Sequence, residues 1–390
     1  MKVKPNSEGI SNPVSSSRRT FMKVAAGTVG AIGGAVSKPG GVPITAAVAQ
    51  SSRSTDYQTF DLGSVQLQSG IMFPDARLAY KTFGELAPDK SNVIVVPSAF
   101  SGTHKDLEWQ VAANKVLDPG HYFIIMVNMF GSGLSSSPND AVPPFDRGHF
   151  PNVTLTDNVR MQHRLLAEVF GIQKVALVYG WSMGGQQAYH WGALFPDAVE
   201  RICVVCGSAR TSTNNLVFLD GIRAALTTDS LWQDNWFAAP PVRGLKAFAR
   251  VYAGWVLSPA FFREAVYKQI GFPTLEAFQV GSSEAYWLPR DANNLLAQIW
   301  TWQNADISAN DLYGGDLVKA LGAIKAKALI MPSETDRYFE VADNAVEVPH
   351  LLRAELRPIP SIWGHVAGNP KGVPADTAFL AKGVRDLLSS

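Results

Sequence analysis

The chain has 390 residues, 46% hydrophobic and 17% charged, enough to bury one large core or two modest ones. Its formal net charge is +1, and past the first 23 residues no basic block interleaves with aromatic residues. That argues against nucleic acid or a polyanionic membrane as the main partner and leaves a small molecule as the expected one.

The first 49 residues read as an address rather than as part of the fold. Lys2, Lys4, Arg18 and Arg19 form a basic region, Val24–Val36 a 13-residue apolar run, and Ala47-Val48-Ala49 a small-residue cleavage site. The run is too short to cross a bilayer, which takes about 20 residues. Arg18 and Arg19, followed by Phe21 and Lys23, match the twin-arginine export signal, so the mature protein is expected to be periplasmic or secreted. No cysteine follows the cleavage site to carry a lipid, and the glycines at 27, 30, 33 and 34 belong to this segment rather than to a phosphate loop.

Residues 57–84 alternate polar and apolar side chains between Gly and Pro breaks, which predicts an antiparallel meander. The runs at 91–99, 121–129, 174–180, 201–207 and 327–333 are short and continuously apolar, as strands of a parallel sheet covered on both faces are. Helical patterns lie between them at 156–171, with Thr156 or Asp157 as cap, and at 185–195. The fold class predicted is α/β, a mostly parallel sheet with helices on both faces, with its core over 50–210 and 311–390. Residues 211–310 break the rhythm: they lack strand runs, read as helices interrupted by Pro and Gly, and hold six of the ten tryptophans. They are read as an inserted helical lid, against the alternative of ordinary helical elaboration. The two cysteines, Cys203 and Cys206, stand in a β-branched run where positions three apart face opposite sides, so two buried, unpaired thiols are expected.

Gly180-Trp181-Ser182-Met183-Gly184 follows a strand run and opens a helix, the setting of a nucleophile elbow. There the serine takes a strained conformation, its neighbours must be tiny, and its hydroxyl is lifted clear of the sheet toward a helix N-terminus. A serine nucleophile needs a base, and the base an orienting acid, which follow the elbow in the order serine, acid, histidine. Only His350 and His365 come late enough, and His365 sits after a short apolar run and before glycine-rich sequence, as a loop-borne base should. His350, in an apparently amphipathic helix, reads as structural. Asp336 is the acid expected past the 327–333 strand, with Glu334 the alternative. An oxyanion needs two backbone N–H groups, expected from Met183 and, in the 95–106 loop, Phe100. A plain Ser/Gly turn is the alternative reading of that loop. No histidine pair or cysteine spacing suits a metal, and no cofactor is expected.

Several segments together resemble the homoserine O-acetyltransferase family of α/β-hydrolases. "LAYKTFGELAPDKSNVIVVPSAFSG" (78–102) is similar to the family's opening, and 150–201 is similar throughout, including Gln162, Ser182, Met183 and Trp191. "TDRYF" (335–339) resembles its acid segment, "WGH" (363–365) its histidine segment, and "DANN" (291–294) continues the likeness through the lid. The resemblance implies an α/β-hydrolase fold with the triad Ser182, Asp336 and His365. It also implies an aspartate after the histidine to hold the amino group of homoserine, where this chain has Val366. Trp181 stands where that family usually has a small residue, and is expected to narrow the acyl pocket. An exported protein would meet water rather than cytoplasmic acetyl-CoA.

The expectation is therefore an exported serine hydrolase that cleaves an ester or related acyl bond through an acyl-enzyme. The alternative is an O-acyltransferase with an acyl-CoA donor and an alcohol or amino-alcohol acceptor. A silent binding protein on the same fold would need a broken triad, and all three members are present. Expected partners are a small acyl ester and, during export, the twin-arginine translocation machinery, with a homodimer allowed and neither nucleic acid nor metal involved.

Overall fold

The apolar runs become strands because a central strand must fill two cores at once. The computed structural model describes residues 56–390, so the signal segment 1–49 lies outside the described residues. The meander is a hairpin, β1 (Gln58–Gln66) antiparallel to β2 (Met72–Phe83). Then come β3 (Val93–Pro97), β4 (Phe123–Val127), β5 (Leu177–Trp181) and β6 (Arg201–Val205). A separate ribbon, β7 (Trp232–Gln233) with β8 (Trp236–Phe237), precedes β9 (Lys327–Met331) and β10 (Ala354–Leu356). The eight-stranded sheet has the order β1-β2-β4-β3-β5-β6-β9-β10, parallel from β4 onward.

Side chains alternate between two cores with the two-residue period of a strand. In β3, Val93 and Val95 enter one cluster and Ile94 and Val96 the other; in β9, Ala328 and Ile330 divide from Leu329 and Met331 in the same way. The first cluster is closed by α1 (Leu155–Phe170) and α2 (Met183–Leu194), and the second by the C-terminal helix Pro374–Leu388. The strand order reverses beside β3, so the C-terminal ends of β3 and β5 lie side by side, the crevice where open α/β sheets bind ligands.

Between β6 and β9 the chain leaves the sheet through α3 (Thr213–Thr227) and α4 (Val242–Val256) and returns through the helix Ala292–Gln303. A neck closes this excursion: Thr211 N–H donates to Ala305 O at 2.9 Å and Ile307 N–H to Ala209 O at 3.1 Å. Its aromatic core, with Phe218, Phe248, Trp287 and Trp302, is continuous with Phe100 and Met183 at the sheet's end.

Three local expectations need correction. The cap of α1 is Thr154, whose hydroxyl accepts from Asp157 N–H at 3.1 Å while Asp157 accepts from Thr154 N–H at 3.0 Å. Asp157 is thus the third residue of a capping box, not the cap. The helix after the elbow begins at Met183, two residues earlier than predicted. Cys203 and Cys206 are both buried and unpaired, but they share one cluster, because Cys206 lies past the end of β6 with φ of 46° and leaves the strand alternation.

Candidate active site

Ser182 sits at the junction of β5 and α2 with φ of 60° and ψ of −129°, a conformation that costs a non-glycine residue about 1–3 kcal/mol. The cost is met by anchoring on both sides: Ser182 N–H donates to Val205 O at 2.9 Å and Gln186 N–H to Ser182 O at 3.1 Å. The flanking glycines are steric necessities. A Cβ at Gly180 would overlap the Gly184 carbonyl, and one at Gly184 would stand 2.6 Å from Pro97 O.

Asp336 is buried on the loop after β9. Its Oδ1 accepts from Tyr338 N–H at 3.1 Å and Phe339 N–H at 3.2 Å, while Oδ2 is 2.7 Å from His365 Nδ1. Those backbone donors keep the carboxylate aimed, and the carboxylate fixes the imidazole. Thr335 ties the two loops together, its hydroxyl donating to Ser361 O at 2.7 Å and accepting from Gly364 N–H at 3.1 Å. His365 Nε2 is buried without a hydrogen-bond partner. Glu334 and His350 are both exposed, so the structure brings together Ser182, Asp336 and His365 and leaves the two alternatives outside.

Ser182 and His365 open on a cavity of about 360 Å³ whose walls include Phe100, Trp181, Trp287 and Val366. Among the described residues, neither Met183 N–H nor Phe100 N–H has a protein acceptor, so both remain available to a substrate oxygen. Trp181 lies against the histidine, ring centroids 5.1 Å apart, and its indole N–H donates to His365 O at 3.2 Å. That indole requires Gly368, where a Cβ would overlap it, a pairing that sequence reading missed because the two residues are remote in the chain. Val366 packs beside Leu257, Phe261 and Phe278. The carboxylate on the cavity wall, Asp106, is engaged by Thr103 N–H at 2.8 Å and faces Arg290 at 4.0 Å.

Among the described residues, two groups of donor atoms lie close enough to hold a cation. Asp56, His104 and Glu108 converge, and Lys81 Nζ already supplies the positive charge there, 2.8 Å from Glu108 and 3.5 Å from Asp56. Cys206 converges with Asp336 and His365, but burial, then the Asp336 charge, push its thiol well above the usual range and keep it protonated.

Residues 92–367 match the family model described as alpha/beta hydrolase fold. The chain belongs to that family. The ethyl acetate hydrolase of Pseudomonas veronii is 40% identical over 80% of this chain and 89% of its own length. The solved structure of the acetyl esterase MekB superposes with a TM-score of 0.81 at 38% identity, covering 86% of this chain and 97% of that one. A homoserine O-acetyltransferase of Methanococcoides burtonii is 29% identical over 80% of this chain and 70% of its own. Within the alpha/beta hydrolase family the esterases are thus the more similar of these relatives, and the acyltransferase likeness is the coarser one. The activity is that of an ester-cleaving serine hydrolase.

Proposed function

We propose that this serine esterase hydrolyses acetyl and other short acyl esters of uncharged alcohols, with Ser182, His365 and Asp336 as its triad. Ser182 Oγ attacks the ester carbonyl while His365 Nε2 takes its proton, and Met183 N–H and Phe100 N–H receive the charge that develops on the carbonyl oxygen. His365 returns the proton to the departing alkoxide, leaving the acyl group on Ser182. Water, deprotonated by His365, then releases the acid and restores the serine. Asp336 keeps Nδ1 protonated and steadies the imidazolium at both steps.

The observation that carries the reading is Val366 on the cavity wall next to His365. An ammonium placed there would lose its hydration with no carboxylate at that position, since Asp106 on the same wall is already engaged by Thr103 N–H and faces Arg290, at a cost of several kcal/mol. Water and simple alcohols carry no such cost. The similarity to an ethyl acetate hydrolase and an acetyl esterase supports the same substrate class. The test is to offer p-nitrophenyl acetate with and without homoserine and weigh acetate against O-acetyl-homoserine by mass spectrometry. Acetate should dominate in both, and a predominance of O-acetyl-homoserine would make the protein an acyltransferase. Export through the twin-arginine route is part of the proposal and rests on Arg18 and Arg19. Changing both to Lys should strand the activity in the cytoplasmic fraction, and unchanged periplasmic activity would refute it.

A further inference from the structure

We propose that Gln298 is a positioning residue that sets the loop carrying the Phe100 N–H, an inference that rests on the Ser182 reading above. Gln298 belongs to the helix Ala292–Gln303 of the insertion, yet its side chain reaches the end of β3 and is 1% exposed. Its Oε1 accepts from Ser101 N–H at 2.7 Å, a contact across 197 positions of sequence. Its Nε2 has no partner. A buried amide that leaves its donor unsatisfied is costly, so the acceptor end is what this position uses.

The loop explains why an acceptor is needed. Gly102 N–H donates to Ala99 O at 3.1 Å, closing a four-residue turn with Phe100 and Ser101 at its centre. Ser101 has φ of 56°, the sign that a type II turn demands of its third residue and that serine resists. Types I and II differ by a rotation of the central peptide, here the bond between Phe100 and Ser101, which reverses the direction of Ser101 N–H. Gln298 holds that N–H in the type II orientation. The first peptide of the turn is fixed in the same arrangement, with Ala99 O facing Gly102 and Phe100 N–H left free. A flip would change ψ of Phe100 and φ of Ser101 together and release the turn that carries Phe100 N–H from its anchor on Gln298. The neighbouring loop leaves room for the glutamine: at Gly131, with φ of +80°, a Cβ would come within 3.0 Å of Gln298 Cγ.

The test compares Gln298→Met, which keeps the length and removes the amide, with Gln298→Glu, which keeps an acceptor. Each is read on kcat and KM for p-nitrophenyl acetate and on affinity for a trifluoromethyl ketone that mimics the tetrahedral intermediate. Gln298→Met should lower kcat about 10- to 100-fold with KM held within about twofold, as misplacement of an oxyanion donor does. The ketone should weaken by the same factor, and Gln298→Glu should retain most of both. A methionine variant with parental kcat and ketone affinity overturns the proposal. So does a loss that Gln298→Glu shares in full, or one confined to KM or to melting temperature. Fluorophosphonate labelling separates the two readings: Ser182 labelled beside an indifferent Gln298→Met removes the role of Gln298 alone, whereas no label on parental Ser182 removes both.

Discussion

The two sides of the cavity are built in opposite ways. On the sheet side, the proposed nucleophile is set mostly within five residues: Gly180, the left-handed Ser182 and Gly184 all lie in one strand-to-helix turn, packed onto the ends of β3 and β6 at Pro97 and Val205. On the insertion side, the walls come from Trp287 and neighbours whose contacts with the sheet, such as that of Gln298 with Ser101, span about half the chain. The nucleophile thus depends on local backbone geometry and the walls on long-range packing. Changes on the sheet side should therefore abolish turnover, while changes to the walls should redistribute it among substrates.

Asp336→Asn attacks the sheet side and should lower kcat about 10⁴-fold, because asparagine favours the wrong imidazole tautomer. Glu334→Gln, two residues away and exposed, should leave kcat within about twofold. Steady-state rates of the two variants decide the point, and a larger loss at Glu334 would reverse the assignment.

Trp181 belongs to both sides, ending β5 while lining the cavity. Trp181→Ala should raise the butyryl-to-acetyl ratio of kcat/KM about tenfold as the wall recedes. The ratio is taken within one variant, so lost stability does not disturb it. An unchanged ratio would place the acyl group elsewhere in the cavity.

The smallest effect concerns stability behind the elbow. Glu347 accepts from Ala209 N–H at 2.8 Å and from Asn344, which also donates to Gly207 O at 2.9 Å. Burial pushes the Glu347 carboxyl from 4.5 up to about 7. A folded-state acid with a raised pKa is most favourable below about pH 4.5, and stability is lost as pH rises toward 7, by about 3 kcal/mol in all. Buried His190, lowered to about 4, has the opposite slope between pH 4 and 6.5. Subtracting parent from Glu347→Gln cancels the His190 part. The difference in Tm should grow more positive from pH 5 to pH 8, and a flat difference would mean that Glu347 does not titrate in this range.

What could be read in the sequence follows the same division. The parallel strands and the elbow are legible because periodicity and glycine spacing are local signals. β10 is not, since Ala354–Leu356 is three residues long and its middle one is an exposed glutamate. The Thr154 cap carries a readable signal, threonine followed three positions later by Asp157, but Thr156 and Asp157 are themselves cap-forming residue types and compete with it. Cys206 escapes prediction because a left-handed residue at a strand end has no compositional mark. Gln298 and Gly368 were invisible for a different reason: each acts through a residue more than 180 positions away.

The central claim is that ester cleavage passes through an acyl group on Ser182. Mixing the purified protein with p-nitrophenyl acetate, quenching within one turnover and mapping peptides by mass spectrometry tests it most directly. The account predicts acetyl on the peptide containing Ser182, absent in Ser182→Ala, whose kcat should fall about 10⁴-fold or more with the fold retained. Acetyl on another residue, or turnover that survives the alanine change, would contradict it.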